Sequence, residues 1–158
     1  MEQYTAGNVE MAVLQFYYQG ASQETHKWLT NAQMSTAAWN FAWDLLLPEK
    51  KPEVQFFGAS TIAIKVSKFW QEVPNDQVVA LRNRIIQTLM SYKGLRIVQT
   101  RLCIAMASVV IQTIPEHWKS PIMEIMNILQ GNSTLLFEVL TVVPEEFSTQ
   151  VIILRCYD

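Results

Sequence analysis

A chain of 158 residues, half of them apolar and 16% charged, has room for one domain or one run of repeats and can bury a core without staples. Its net charge of −2 gives no ground for general attraction to nucleic acid or to anionic lipid. It shows no basic-then-apolar leader and no apolar run of bilayer-spanning length, and two cysteines, Cys103 and Cys156, are too few for a disulfide framework, so a soluble intracellular protein is expected.

Residues 8–19 read as a first helix with Val9, Ala12, Val13 and Phe16 on one stripe and Gly20 as a left-handed cap. Ser22 caps a short second helix carrying Trp28, Leu29 and Ala32, with Glu24 in its first turn. Ser35 opens a third, where Trp39, Ala42, Trp43 and Leu46 follow helical spacing up to Pro48. Residues 52–73 form the helix around which the others are organised. Phe56, Ala59, Ile62, Ala63, Val66, Phe69 and Trp70 share one broad face, while Ser60, Thr61, Lys65, Ser67 and Lys68 fall opposite, with Phe57 and Ile64 among them. A helix so apolar must be covered on both flanks. Gly58 in its middle costs about 1 kcal/mol against alanine, which predicts a close helix approach.

Asn75 or Asp76 caps a fifth helix carrying Val78, Leu81, Ile85, Leu89 and Tyr92, ended by Gly94. A sixth spans 95–113, apolar nearly all round, and stops at Ile114-Pro115. Ser120-Pro121 begins a seventh with Ile122, Ile125, Met126 and Leu129. Ser133 begins an eighth that is expected to stop at Val143-Pro144. Period-two alternation is not sustained anywhere, so strands are not expected.

The stops alternate between turns within a helix pair (Gly20, Pro48 to Pro52, Gly94, Gly131) and breaks between pairs (Ser35, Pro74, Pro115, Pro144). Two of the breaks lie about forty residues apart, the period of a two-helix HEAT repeat. Such pairs cover their apolar faces only by stacking. The fold class expected is therefore all-α, a right-handed α-solenoid of about four HEAT-type antiparallel helix pairs, with a closed bundle as the alternative. The pairs fall at about 8–34, 35–74, 75–115 and 116–144, and residues 148–158 read as a divergent tail or the start of a further repeat.

No catalytic constellation emerges. His26 and His117 have no Cys or carboxylate at metal-ligand spacing, Cys103 reads as a buried small hydrophobe, and the glycines are too scattered to cradle a phosphate. Met106, Met123 and Met126 read as core. No enzyme, cofactor or metal is expected. Two polar stripes stand out on the second helices of their pairs. They are Ser60, Thr61, Lys65 and Lys68 on the fourth helix, and Arg96, Thr100, Arg101, Ser108 and Gln112 on the sixth. A solvated face is the plain reading. Interleaved Phe57, Ile64, Ile97 and Ile104 instead favour a concave protein-binding surface.

The segments QFYYQGASQETHKWLTNAQMSTAAWNFAWDLL, PEVQFFGASTIAIKVSKFW, IVQTRLCIAMASVVI and LLFEVLTVVPEEF together resemble the N-terminal region of importin-β-type karyopherins, in order, over about residues 9–147. The resemblance implies an α-solenoid of HEAT repeats and a nuclear transport receptor that shuttles between cytoplasm and nucleus. It further implies that the first repeats hold the small GTPase Ran in its GTP form on the concave face, which controls cargo loading and release. Protein cargo and nuclear pore proteins are implied partners of the full-length receptor; direct nucleic-acid or membrane contact is not. Family members are several times longer, so an N-terminal fragment is expected. Ser60, Thr61, Ile64, Lys65, Lys68, Arg96, Thr100, Arg101, Ser108 and Gln112 are the candidate Ran-facing residues. A generic HEAT scaffold with an unrelated partner is the alternative.

Overall fold

The computed structural model describes residues 3–155, with side chains as far as Gln150. Among these residues there is no strand. Eight α-helices follow in order: α1 Ala6–Tyr18, α2 Gln23–Met34, α3 Ala38–Asp44, α4 Pro52–Lys68, α5 Val78–Ser91, α6 Arg96–Thr113, α7 Pro121–Leu129 and α8 Ser133–Arg155. Two short 3-10 turns, Trp70–Glu72 and Asn75–Gln77, lie between α4 and α5.

Local chemistry sets several of these boundaries. The Thr5 and Ser22 hydroxyls accept the Asn8 and Thr25 N–H groups at the starts of α1 and α2, satisfying donors that no carbonyl inside the helix can reach. Gly20, at φ 109°, turns the chain out of α1 in a conformation that costs other residues heavily. Pro52 and Pro121 sit in the first turns of α4 and α7, where a missing N–H is harmless.

Neighbouring helices pack as hairpins, α1 with α2, α3 with α4, α5 with α6 and α7 with α8. In the second hairpin Gln55 reaches Leu47 while Gly58 faces Ala42 and Leu45, so α3 and α4 run antiparallel. A Cβ at Gly58 would lie 2.8 Å from the Ala42 carbonyl oxygen and 2.9 Å from the Leu45 Cβ. The close approach expected from that glycine is present.

The second helices stack in parallel. Arg101 lies over Phe56 and Gln112 reaches the Ser67 carbonyl, the same offset of 45 positions at both ends of the α4–α6 contact. Thr100 bonds Glu138 and Gln112 meets Gln150, both 38 positions apart, so α8 continues the row. A constant offset is what stacked repeats produce, and the α4–α6–α8 row is the most intimate packing in the molecule. The outer helices are set further apart, with an open cleft between α3 and α5. This is an all-α stack of HEAT-type hairpins, with α6 at the centre of its core.

Three element readings need correction. Helix α4 ends at Lys68, and Phe69, at φ −126° and ψ 28°, leads into the Trp70–Glu72 turn. Trp70 is therefore half-buried in a turn, not part of a continuous helical face. Helix α8 runs through Pro144 to Arg155. Pro144 removes one ladder bond there, but Val142 stays buried against the core and Gln150 still reaches Gln112, so packing on α6 carries the helix past it. Met106 is core at 1% exposure, whereas Met123 and Met126 are 60% and 42% exposed on α7, the last outer helix of the described stack. The segment read as a divergent tail or the start of a further repeat, 148–158, is helical as far as Arg155. The side chains of 151–155 and residues 156–158, Cys156 included, lie outside the described residues.

Candidate protein-binding surface

The ten candidate residues divide into a buried set and an accessible set. Thr61, Lys65 and Ser108 are fully enclosed, each at 0% exposure, and the expectation that they face outward is corrected. The Thr61 hydroxyl donates to the Phe57 carbonyl at 2.7 Å and accepts from Gln33 Nε2 at 3.1 Å, linking α4 to α2. A hydroxyl that returns its proton to the preceding turn needs no water, which is why threonine is tolerated inside a helical core.

Lys65 carries the larger correction. Its ammonium donates to Glu72 Oε2 at 2.6 Å and sits 4.2 Å from the Phe69 ring centroid and 5.3 Å from that of Trp39. Trp39 Nε1 donates to the same carboxylate oxygen at 2.8 Å. The ammonium is thus caged by a carboxylate and two aromatic faces, the pairing a buried charge requires. The Lys65 hydrogen bond holds the Glu72 carboxyl below its ordinary range, with the Trp39 hydrogen bond adding to it against the opposing effect of burial. Sequence periodicity missed this because Glu72 lies beyond the end of α4. Only the 3-10 turn brings it back onto Lys65.

The remaining candidates border an accessible strip. Ser60 and Ile64 are half-buried on α4, and Lys68 is exposed at its end. On α6 Arg96 and Arg101 are exposed, Thr100 and Gln112 are half-buried, and Ile97 is 56% exposed. Phe57 and Ile104 are half-buried beside them. Thr100 donates to Glu138 and the Arg101 guanidinium stands 5.3 Å from the Phe56 ring centroid, so both are anchored by a neighbouring helix. The α8 row adds Phe137, 67% exposed. The outcome is a row of parallel helices whose open face mixes apolar side chains with a few cations. Among the described residues no three His, Cys, Asp or Glu side chains gather as a metal site. No described helix is long and apolar enough to cross a membrane. Burial raises the Cys103 thiol to about 12, with Glu138 adding to the effect, so it stays protonated and unreactive.

Stacked antiparallel hairpins with a continuous inner row define a helical-repeat protein of the HEAT kind. Two family descriptions divide the chain between them: the importin-beta N-terminal domain matches residues 25–91 and the exportin 1-like protein matches residues 95–155. The chain is 38% identical to Importin-13 of Homo sapiens over 92% of its own length. It is 28% identical to Importin-13 homolog A of Dictyostelium discoideum and 27% identical to the mRNA transport regulator MTR10 of Saccharomyces cerevisiae, each over 92% of this chain. It spans only 16% of the human relative and 15% of the other two. The chain belongs to the importin-β-type karyopherins and corresponds to their N-terminal region.

Proposed function

We propose that this chain forms the Ran-gripping segment of a nuclear transport receptor, binding Ran in its GTP form to control cargo loading and release as the receptor moves between cytoplasm and nucleus. The observation that carries the reading is the accessible strip itself. Ile64, Ile97 and Ile104 interleave with Lys68 and Arg101 on parallel helices of a karyopherin N-terminal region. Apolar anchors among fixed cations suit a protein interface better than open water. The contact set is Ser60, Ile64, Lys68, Arg96, Thr100, Arg101 and Gln112. Thr61, Lys65 and Ser108 shape the helices beneath it. Ran's switch regions are ordered by the γ-phosphate, so a surface fitted to that ordered form reads the nucleotide. Cargo and Ran sharing one flexible stack are then coupled, each altering the other's affinity by the same factor.

The test is capture of Ran loaded with GTP or with GDP on the immobilised chain. Binding that prefers the GTP form, and falls about tenfold or more for Ile97→Asp and Arg101→Glu, supports the reading. Equal capture of both forms favours a generic scaffold, and full retention by both variants removes this face from consideration.

A further inference from the structure

At the edge of the stack where α4 and α6 begin, two successive hairpin corners, residues 47–52 and 92–95, border a cleft of about 950 Å³. A hydrogen-bonded relay ties the corners together. Gln55 Nε2 donates to the Leu47 carbonyl, the Tyr92 hydroxyl donates to Gln55 Oε1 at 2.9 Å, and the Leu95 N–H donates to the Tyr92 hydroxyl. Trp43, buried to 7%, forms part of the wall, while Leu47 and Leu95 expose 43% and 50% of their surface. The cleft is preformed and partly apolar, as recognition sites generally are.

Its charge is one-sided. Lys50, Arg84 and Lys93 line it and no carboxylate does, in a chain whose net charge is −2. Glu10 engages Lys50 at 2.7 Å. Arg84 rests 4.2 Å from the Trp43 ring centroid, and among the described residues neither Arg84 nor Lys93 forms an ion pair. Helices α4 and α6 both start at this edge without a side-chain cap, and α6 has no acid in its first turn. The positive end of α6 therefore reinforces the cations, whereas Glu53 in the first turn of α4 offsets that helix's end.

We infer that this cleft docks an extended acidic peptide with an apolar side chain midway between two carboxylates. From Arg84 to Ser91, the end of α5, the helical rise covers roughly 10 Å, and the two extended positions on to Lys93 bring the span to roughly 10–17 Å. An extended chain covers that span in about four residues, which puts its first and fifth side chains on one side with the third between them. Carboxylates at the first and fifth positions meet Arg84 and Lys93, and the third side chain meets the exposed leucines. This site adjoins the strip assigned to Ran only at Leu95 and Arg96 and does not depend on that assignment.

The test is fluorescence anisotropy of the full chain with a labelled peptide, Gly-Asp-Ser-Leu-Ser-Asp-Gly. Two companion peptides replace both aspartates by lysine or the leucine by serine. The acidic leucine peptide is expected to bind at least about tenfold tighter than the lysine peptide and severalfold tighter than the serine peptide. Lys93→Glu, an exposed change that leaves the fold intact, is expected to weaken binding at least about fivefold, and Arg84→Gln similarly. Arg101→Glu is expected to leave it unchanged. Equal binding of the three peptides, or full retention by Lys93→Glu, overturns the inference. So does displacement of the peptide by millimolar inorganic phosphate with no dependence on the central leucine, which marks a simple anion site.

Discussion

Helix α6 meets its two inner-row neighbours by different means. Toward α4 the shared core is made of small and branched apolar groups, with Ala59, Ala63 and Val66 of α4 buried in the same cluster as Leu102, Ala105 and Val109. Toward α8, Leu135, Val139 and Val142 are buried, and Thr100 bonds Glu138 at one end; at the other end Gln112 Nε2 is shared between Gln150 and the Ser67 carbonyl of α4. Among the described residues Gln150 Nε2 is enclosed without a partner. Apolar contact is non-directional and adds up with area, whereas a polar seam is firm only when every group in it is satisfied. One architecture thus holds a stiff joint and a looser one, and local opening is expected first at α6–α8.

The stiff side breaks most severely at Lys65→Glu. This change sets a second carboxylate against Glu72 in an enclosed site, at an expected cost of roughly 3–5 kcal/mol in thermal or urea unfolding. A variant that melts like the parent would show that the caged ammonium is dispensable. Met106→Ala, at the centre of α6, is expected to cost about 2–5 kcal/mol through the cavity left behind, and hydrogen exchange should quicken in α5 and α7, whose Leu89 and Ile125 border it. Thr100→Val removes only the Glu138 hydrogen bond. About 1 kcal/mol is expected, with faster exchange confined to α8; faster exchange in α4 would contradict the contrast.

The smallest effect is a pH dependence of opposite sign on the two sides. The Glu72 carboxyl is held low by Lys65, so its stabilisation is complete above the unfolded value near 4.5. It is lost as pH falls further, through the depressed folded value. The Glu146 carboxyl on α8 is raised by burial and then by Glu145, against a lowering by Arg101. The folded state therefore takes up its proton first, and folding gains as pH falls through that raised value toward 4.5. Mild acid should firm α8, and stronger acid should release the Lys65 cage. Glu146→Gln is expected to raise the melting temperature slightly near neutrality and to have no such effect near pH 4. A shift of equal size at both pH values would point to a steric cause.

The rhythm of proline, glycine and capping residues makes the hairpins legible in the sequence, because those residues act through local backbone geometry. Gly58 belongs in that class. Contacts that depend on how a chain leaves a helix were not legible. The fourth helix stops five residues earlier than its apolar period suggests, and that stop turns Lys65 from an apparent surface cation into a caged one. Helical period alone puts Lys65 and Lys68 on one polar stripe, yet one is enclosed and the other exposed. Which flank each stripe borders depends on where neighbouring helices sit. Trp118 escaped notice for a related reason. It is 2% exposed in the link before α7, held by a 2.7 Å bond from its Nε1 to Glu124 and with Arg82 over its ring, and loops carry no periodic signal.

The Leu47–Gln55–Tyr92–Leu95 relay has a mechanical consequence. Pulling the second and third hairpins apart at that corner would strain its bonds in series, while among the described residues no hydrogen bond joins α3 to α5. The stack is an unequal spring, stiff along the stitched corner and yielding across its outer rank. Tension would coil or uncoil it about that corner before tearing it.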